Sequence, residues 1–161
     1  ADDAQARIRL AVTLTMRRHY KTALGALGKA LKIAPRNAEA RIRAGNVHYF
    51  LKDYAKALEN YSLAVKDDPL NPNAHNGLGL ASFALKRSDE ALESFSRAIS
   101  LNPLADRAYR NRAAVWTSLK KYGNAAGDFR TAGMVNTDAS LVDEYRKLVE
   151  EAESRAARGK S

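Results

Sequence analysis

The chain has 161 residues, 27 Lys plus Arg against 18 Asp plus Glu, and no cysteine. That length suits one compact domain or a short repeat array, and 45% hydrophobic with 28% charged residues is the composition of a folded chain. No apolar run approaches the roughly 18 residues of a helical membrane span, and without cysteine there can be no disulfide, thiolate metal site or cysteine nucleophile.

The net charge of +9 is unevenly placed. Residues 1–37 carry eight basic and two acidic side chains, residues 106–139 carry six and three, and the other segments balance. Such a chain attracts acidic partners, whether nucleic acid, anionic lipid or acidic peptide. The sequence opens Ala1-Asp2-Asp3 with no visible signal peptide, which fits either a processed end or a boundary within a longer chain. A cytoplasmic location is the expectation, with a periplasmic or organellar one left open.

In chain order, one 34-residue unit is repeated four times, at 4–37, 38–71, 72–105 and 106–139. Pro35, Pro69 and Pro103 keep that period, as do Ala23, Ala57, Ala91 and Ala125, and Ala30, Ala64, Ala98 and Ala132. A large apolar residue stands between the two alanines of each copy (Leu27, Tyr61, Phe95, Phe129), and a small one stands upstream (Ala11, Gly45, Gly79, Ala113). Inside the units the spacing is helical: Tyr54, Ala57, Leu58, Tyr61, Ala64 and Val65 mark one face, and Ala40, Ala44, Val47 and Leu51 another. Gly-free junctions such as Lys52-Asp53 divide each unit, while Asp68-Pro69, Asn71-Pro72 and Asn102-Pro103 punctuate the units. The chain is therefore expected to be all-α, an α-solenoid of antiparallel helical hairpins. Gly45 and Gly79 are expected to face Ala57 and Ala91 across their hairpins, with Tyr61 and Phe95 filling the space beside the next one. After the fourth unit, Leu141, Val142, Tyr145, Leu148 and Val149 form one stripe, predicting an amphipathic capping helix over 140–158 that frays past Ser154.

Catalytic chemistry finds little support. His19, His48 and His75 lack metal-ligand spacing, and His48 reads as a packing residue. Gly159-Lys160-Ser161 imitates the end of a phosphate loop without its upstream glycine or preceding strand, and Asn60-Tyr61-Ser62 places a formal glycosylation acceptor in mid-helix. Acidic pairs such as Asp67-Asp68 and Asp89-Glu90 are explained by helix ends and turns. The reading is of a protein with no enzymatic activity, no metal and no cofactor.

The columns resemble the tetratricopeptide repeat family over about residues 4–139. The third unit carries Leu78, Gly79, Ala91, Phe95, Ala98 and Pro103; the second Gly45, Ala57, Tyr61, Ala64 and Pro69; the first Leu10, Ala11, Ala23, Ala30 and Pro35. The fourth has Tyr109, Trp116, Ala125, Phe129 and Ala132, with Thr137 in place of proline. The resemblance implies a concave groove, lined by the first helix of each unit, that binds an extended or helical peptide. The groove positions it carries over are Ile8, Arg9, Val12 and Met16; Ile42, Arg43, Asn46, Tyr49 and Phe50; Asn73, Asn76, Leu80 and Phe83; and Arg107, Arg110, Asn111 and Ala114. Arg43, Arg107 and Arg110 can each grip a carboxylate with two parallel bonds, Asn46, Asn76 and Asn111 can pair with peptide backbone, and Tyr49, Phe50 and Phe83 offer apolar anchors. The implied function is a non-catalytic adaptor for a peptide with acidic and large apolar residues. The family's chaperone-binding carboxylate clamp is matched only by Asn46, with Arg107 preserving charge, which argues against that subclass. The alternatives are a helical repeat that binds RNA or DNA, which the local basic excess and missing base-stacking column disfavour, and a self-assembling scaffold whose groove takes a neighbour's terminal helix.

Overall fold

A computed structural model describes residues 2–158, which form nine α-helices and no strand; Gly159-Lys160-Ser161 lies outside the described residues. The helices are α1 (Asp2–Met16), α2 (Tyr20–Ile33), α3 (Ala38–Phe50), α4 (Tyr54–Asp67), α5 (Pro72–Ala84), α6 (Ser88–Leu101), α7 (Asp106–Ser118), α8 (Tyr122–Val135) and α9 (Ala139–Arg158). Their boundaries follow from local chemistry. The Asn37 side chain accepts from the Ala40 N–H at 2.8 Å, Asp53 from Lys56 at 3.3 Å, and Asn71 from Asn73 and Ala74. These caps satisfy donors that the first helical turn leaves open. Pro72 then occupies the first turn of α5, where a missing N–H costs nothing.

The first helix of each unit ends in the same way. Arg18, Lys52, Lys86 and Lys120 adopt φ between 58° and 65°, 34 residues apart. In the α3–α4 turn the Lys52 N–H donates to the Tyr49 carbonyl at 2.9 Å and the Asp53 N–H to His48 at 2.9 Å, with matching bonds from Arg18 and His19 and from Lys120 and Lys121. This closure reverses the chain within three residues, and its left-handed position is the one where glycine is cheapest. Here every copy holds a cation instead.

The described helices group into two compact units divided between Lys86 and Arg87, so the two helices of the third sequence repeat fall on either side. In the first unit, α1 pairs with α2, α3 with α4, α2 meets α3 and α4 meets α5. Its core comprises Ile8, Ala11, Ala23, Leu27, Ala30, Ala40, Ala44 and Val47, continued by Ala57, Tyr61, Ala64, Ala74 and Ala81. The alanine columns are buried because helices that approach this closely leave no room for larger side chains. The atoms nearest Gly45 belong to the Tyr61 ring. A Cβ there would stand 2.7 Å from Cε1 of the Tyr61 ring. One on Gly77 of α5 would lie 2.8 Å from Cζ of the same ring and nearer still to Cε1 and Cδ1. Tyr61 thus fills the space beside the next hairpin, as the pattern suggests, and two glycines of different helices make room for it.

In the second unit α6 packs on α7, α7 on α8 and α8 on α9. Its core joins Ala113, Ala125, Ala126, Phe129 and Ala132 to Tyr145 and Ala152 of α9. The last helix runs unbroken to Arg158 rather than fraying past Ser154, with Ala152 buried and Arg130 paired with Glu153. Tyr145 is wholly buried, and its hydroxyl donates to Asp106 Oδ2 at 2.9 Å.

Candidate functional site

Within the first unit α1 packs beside α3 and α3 beside α5, whereas α2 and α4 make no comparable approach. Packing the first-half helices closer than the second-half ones makes their side of the unit a face that can line a groove. The predicted residues on it divide into exposed, engaged and buried. Arg9, Met16 and Asn73 are exposed, while Val12, Leu80 and Phe83 are half-buried. Ile8 and Ile42 are not groove residues: both are buried in the core, where their branched side chains pack among alanines.

Arg43 is the central cation of the face. Its Nη2 donates to Glu39 Oε1 at 3.3 Å, one helical turn away. Glu39 Oε2 in turn accepts from Gln5 of α1 at 3.4 Å, so a polar chain bridges α1 and α3. The Arg43 Nε is buried and has no acceptor among the described residues. Leaving a donor buried and unpaired costs free energy.

Asn46 is half committed, because its Oδ1 accepts the Tyr61 hydroxyl at 2.7 Å, leaving its amide N–H groups to offer. Asn76 and Asn111 each already interact within the protein. Tyr49 lies against Tyr54, ring centroids 5.3 Å apart, and burial, aided by that neighbour, raises its hydroxyl pKa. Phe50 is drawn towards α2, stacking on Tyr20 at 6.0 Å. His48 behaves as a packing side chain: burial lowers its pKa, opposed by the Asp53 carboxylate 3.8 Å from Nδ1.

In the second unit Arg107, Arg110 and Ala114 of α7 are exposed and Asn111 is half-buried. Arg112, beside them in sequence, points inward. Its Nε and Nη2 bind both oxygens of buried Asp128 at 2.8 and 2.7 Å, and its Nη1 donates to Ser96 at 2.9 Å. That hydrogen-bonded carboxylate raises the pKa of Arg112 further. Asp67 likewise is more than a helix-end residue, since it receives Arg41 at 2.6 Å and Arg36 at 3.4 Å. A groove of about 290 Å³ between α8 and α9 is lined by Phe129, Gly133, Met134, Val142, Tyr145 and Val149. The arginines Arg130 and Arg146, which also line it, pair with Glu153 and Asp143. Periodicity shows none of these ion pairs; only the arrival of opposite charges on adjoining helices could have suggested them. Among the described residues no cluster could hold a metal ion, and no helix is long and apolar enough to cross a membrane.

The sequence profile described as tetratricopeptide repeat matches residues 14–72, 42–103 and 87–139. None of the curated proteins matches the sequence. Solved structures do. A thermophilic protein of this repeat type from Thermus thermophilus is 23% identical, with TM-score 0.80 over 96% of this chain and 89% of that one. The MamA protein is 20% identical, with TM-score 0.72 over 98% and 93%. The first repeat domain of Spaghetti, bound to the HSP90 peptide SRMEEVD, is 25% identical, with TM-score 0.63 over 71% and 91%.

Proposed function

Since the chain belongs to the tetratricopeptide repeat family, we propose that it is a non-catalytic adaptor that docks a peptide segment of another protein on the face formed by its first-half helices. The observation that carries this reading is Arg43, a guanidinium oriented by Glu39 with 42% of its side-chain surface still exposed. A carboxylate approaching the exposed part of that guanidinium would gain a charge-assisted hydrogen bond. In the same unit, half-buried Leu80 and Phe83 on α5 offer apolar surface, so the peptide sought carries an acidic residue near large apolar ones; in the second unit, exposed Arg107 and Arg110 on α7 are cations of the same kind. The Spaghetti domain, solved with a peptide containing two glutamates and a terminal aspartate, supports the general mode. Of that mode's clamp residues this chain keeps only Asn46, with Arg107 preserving charge, which argues for a peptide of different sequence.

The test is a nuclease-treated pull-down with wild type beside the Arg43→Ala/Arg110→Ala double variant, read by mass spectrometry. Proteins captured by wild type and lost by the variant, with helical signal and melting temperature unchanged, are the expected result. Equal capture by both refutes the assignment of the face. Capture that vanishes only with nuclease transfers the function to nucleic acid.

A further inference from the structure

The turns joining first and second helices in the first unit share a composition that the peptide-docking reading does not use. α1 and α3 run in the same direction, so Arg17 and Arg18 after α1, Lys52 after α3 and Lys86 after α5 come to one edge. The Tyr20–Phe50 ring stack ties the end of α3 to the start of α2, placing the first two turns side by side. Arg17, Arg18, Lys21 and Lys52 are exposed, and among the described residues none forms an ion pair. Large apolar side chains stand among them: Met16 is 81% exposed, Phe50 58% and Leu51 47%. The opposite edge differs. Ile33 and Leu70 are exposed there too, beside exposed Lys32 and Lys66, but Arg36 and Arg41 share the Asp67 carboxylate.

Unpaired cations repel one another, and three of them, Arg18, Lys52 and Lys86, also occupy the left-handed position that glycine would fill without strain. The edge thus accepts two penalties to present charge. Aliphatic side chains between fixed cations suit a surface that is anionic at the level of the charges and apolar just beneath. Bases of a single strand would demand stacking platforms, and Phe50, an exposed ring beside these turns, is already stacked on Tyr20. We propose that this edge of the first unit docks on an anionic lipid bilayer, with Met16, Phe50 and Leu51 entering the headgroup–acyl boundary and Arg17, Arg18, Lys21, Lys52 and Lys86 holding lipid phosphates and carboxylates. The α7–α8 turn of the other unit has the same make-up, Leu119, Lys120 and Lys121.

The test is co-sedimentation with vesicles of phosphatidylcholine in which about a third of the lipid is anionic phosphatidylserine, against phosphatidylcholine alone. Wild type is expected to pellet with the anionic vesicles only, and less as salt rises. Arg18→Gly/Lys52→Gly/Lys86→Gly removes three cations while relieving their backbone strain, so it keeps the fold; its vesicle affinity should fall about a hundredfold. Met16→Ser should weaken binding without altering its salt dependence, and the Arg43→Ala/Arg110→Ala variant should bind vesicles as wild type does, which separates this edge from the peptide face. No pelleting with anionic vesicles, or equal pelleting by the triple glycine variant, overturns the proposal. Displacement from vesicles by single-stranded RNA at lower concentration than by anionic lipid also overturns it, in favour of nucleic acid.

Discussion

The ring of Tyr61 sits between Gly45 of α3 and Gly77 of α5, and a single methyl group added at Gly77 should not be tolerated. Its Cβ would come within 2.8 Å of Cζ, and closer to two other ring carbons, where carbon atoms prefer roughly 3.5–4.0 Å. The ring cannot retreat, because Tyr61 is wholly buried, its hydroxyl is bonded to Asn46 and Gly45 closes the other approach. Overpacking of this kind costs about 1–3 kcal/mol, and the helical preference for alanine over glycine returns about 0.5–1 kcal/mol. Gly77→Ala should therefore lose about 1–2 kcal/mol, a fall of about 2–8 °C in melting temperature. Gly28 of α2 is the internal control, since nothing lies within 4 Å of its added Cβ, and Gly28→Ala should raise stability by about 0.5–1 kcal/mol. The same chemical change would then have opposite signs at two sites of one unit, read by far-ultraviolet circular dichroism melts. In a Tyr61→Leu background the Gly77→Ala penalty should largely disappear. Gly77→Ala melting at or above wild type would refute the clamped ring.

Three further outcomes follow from the side chains already described. Arg112→Ala strands the buried Asp128 carboxylate and should cost about 3 kcal/mol or more in denaturant melts, whereas Arg112→Met with Asp128→Leu should restore much of it. His48 is favoured neutral in the fold, so its contribution is intact above its ordinary pKa of 6.5 and is lost as pH falls through that value towards its lowered one. Melting temperature should accordingly drop less between about pH 7.5 and 5.5 in His48→Gln than in wild type; an equal drop would contradict the burial. The Tyr145 hydroxyl, pushed up to about 12 by burial and then by the bond to Asp106, stabilises the fold below its ordinary 10.0 and loses that contribution as pH rises through 10 to 12. Difference titration of tyrosine absorbance in wild type against Tyr145→Phe should show one tyrosine ionising late.

The repeat, the hairpins and the buried columns were legible because each is written in spacing. Ala23 and its counterparts recur every 34 residues, and a helix that must bury them has one face on which to do so. Contacts between elements were less legible. Gly45 reads as the partner of Ala57, and the spacing does not announce that the ring nearest it, Tyr61, is shared with Gly77 of the next hairpin. Ile8 and Ile42 illustrate a related difficulty: the register that carries a groove position over from a family pattern does not report which way a branched side chain turns at a given helix crossing. Arg112 and Arg110 are both arginines on α7, two residues apart; the register sets Arg112 in the column of Leu10, Ala44 and Leu78, but it does not name Asp128 as its partner. Lys52 was visible in a Gly-free junction, but the positive φ it shares with Arg18, Lys86 and Lys120 follows from hydrogen bonds closed at the helix ends, which composition does not announce.

One carboxylate oxygen in the second unit has a consequence for the order in which that unit comes apart. Asp106 Oδ2, at the start of α7, receives both the Tyr145 hydroxyl of α9 and the Asn136 amide of the segment leading into it, at 2.9 and 2.8 Å. A terminal helix held only by its apolar stripe would peel away first and exchange its amide hydrogens quickly. Here α9 cannot lift without breaking both bonds to a carboxylate on another helix, so its release is latched to the opening of α7 and α8. Hydrogen exchange in the middle of α9 should then proceed at the pace of the hairpin beneath it, and the last helix of the chain shares that hairpin's lifetime.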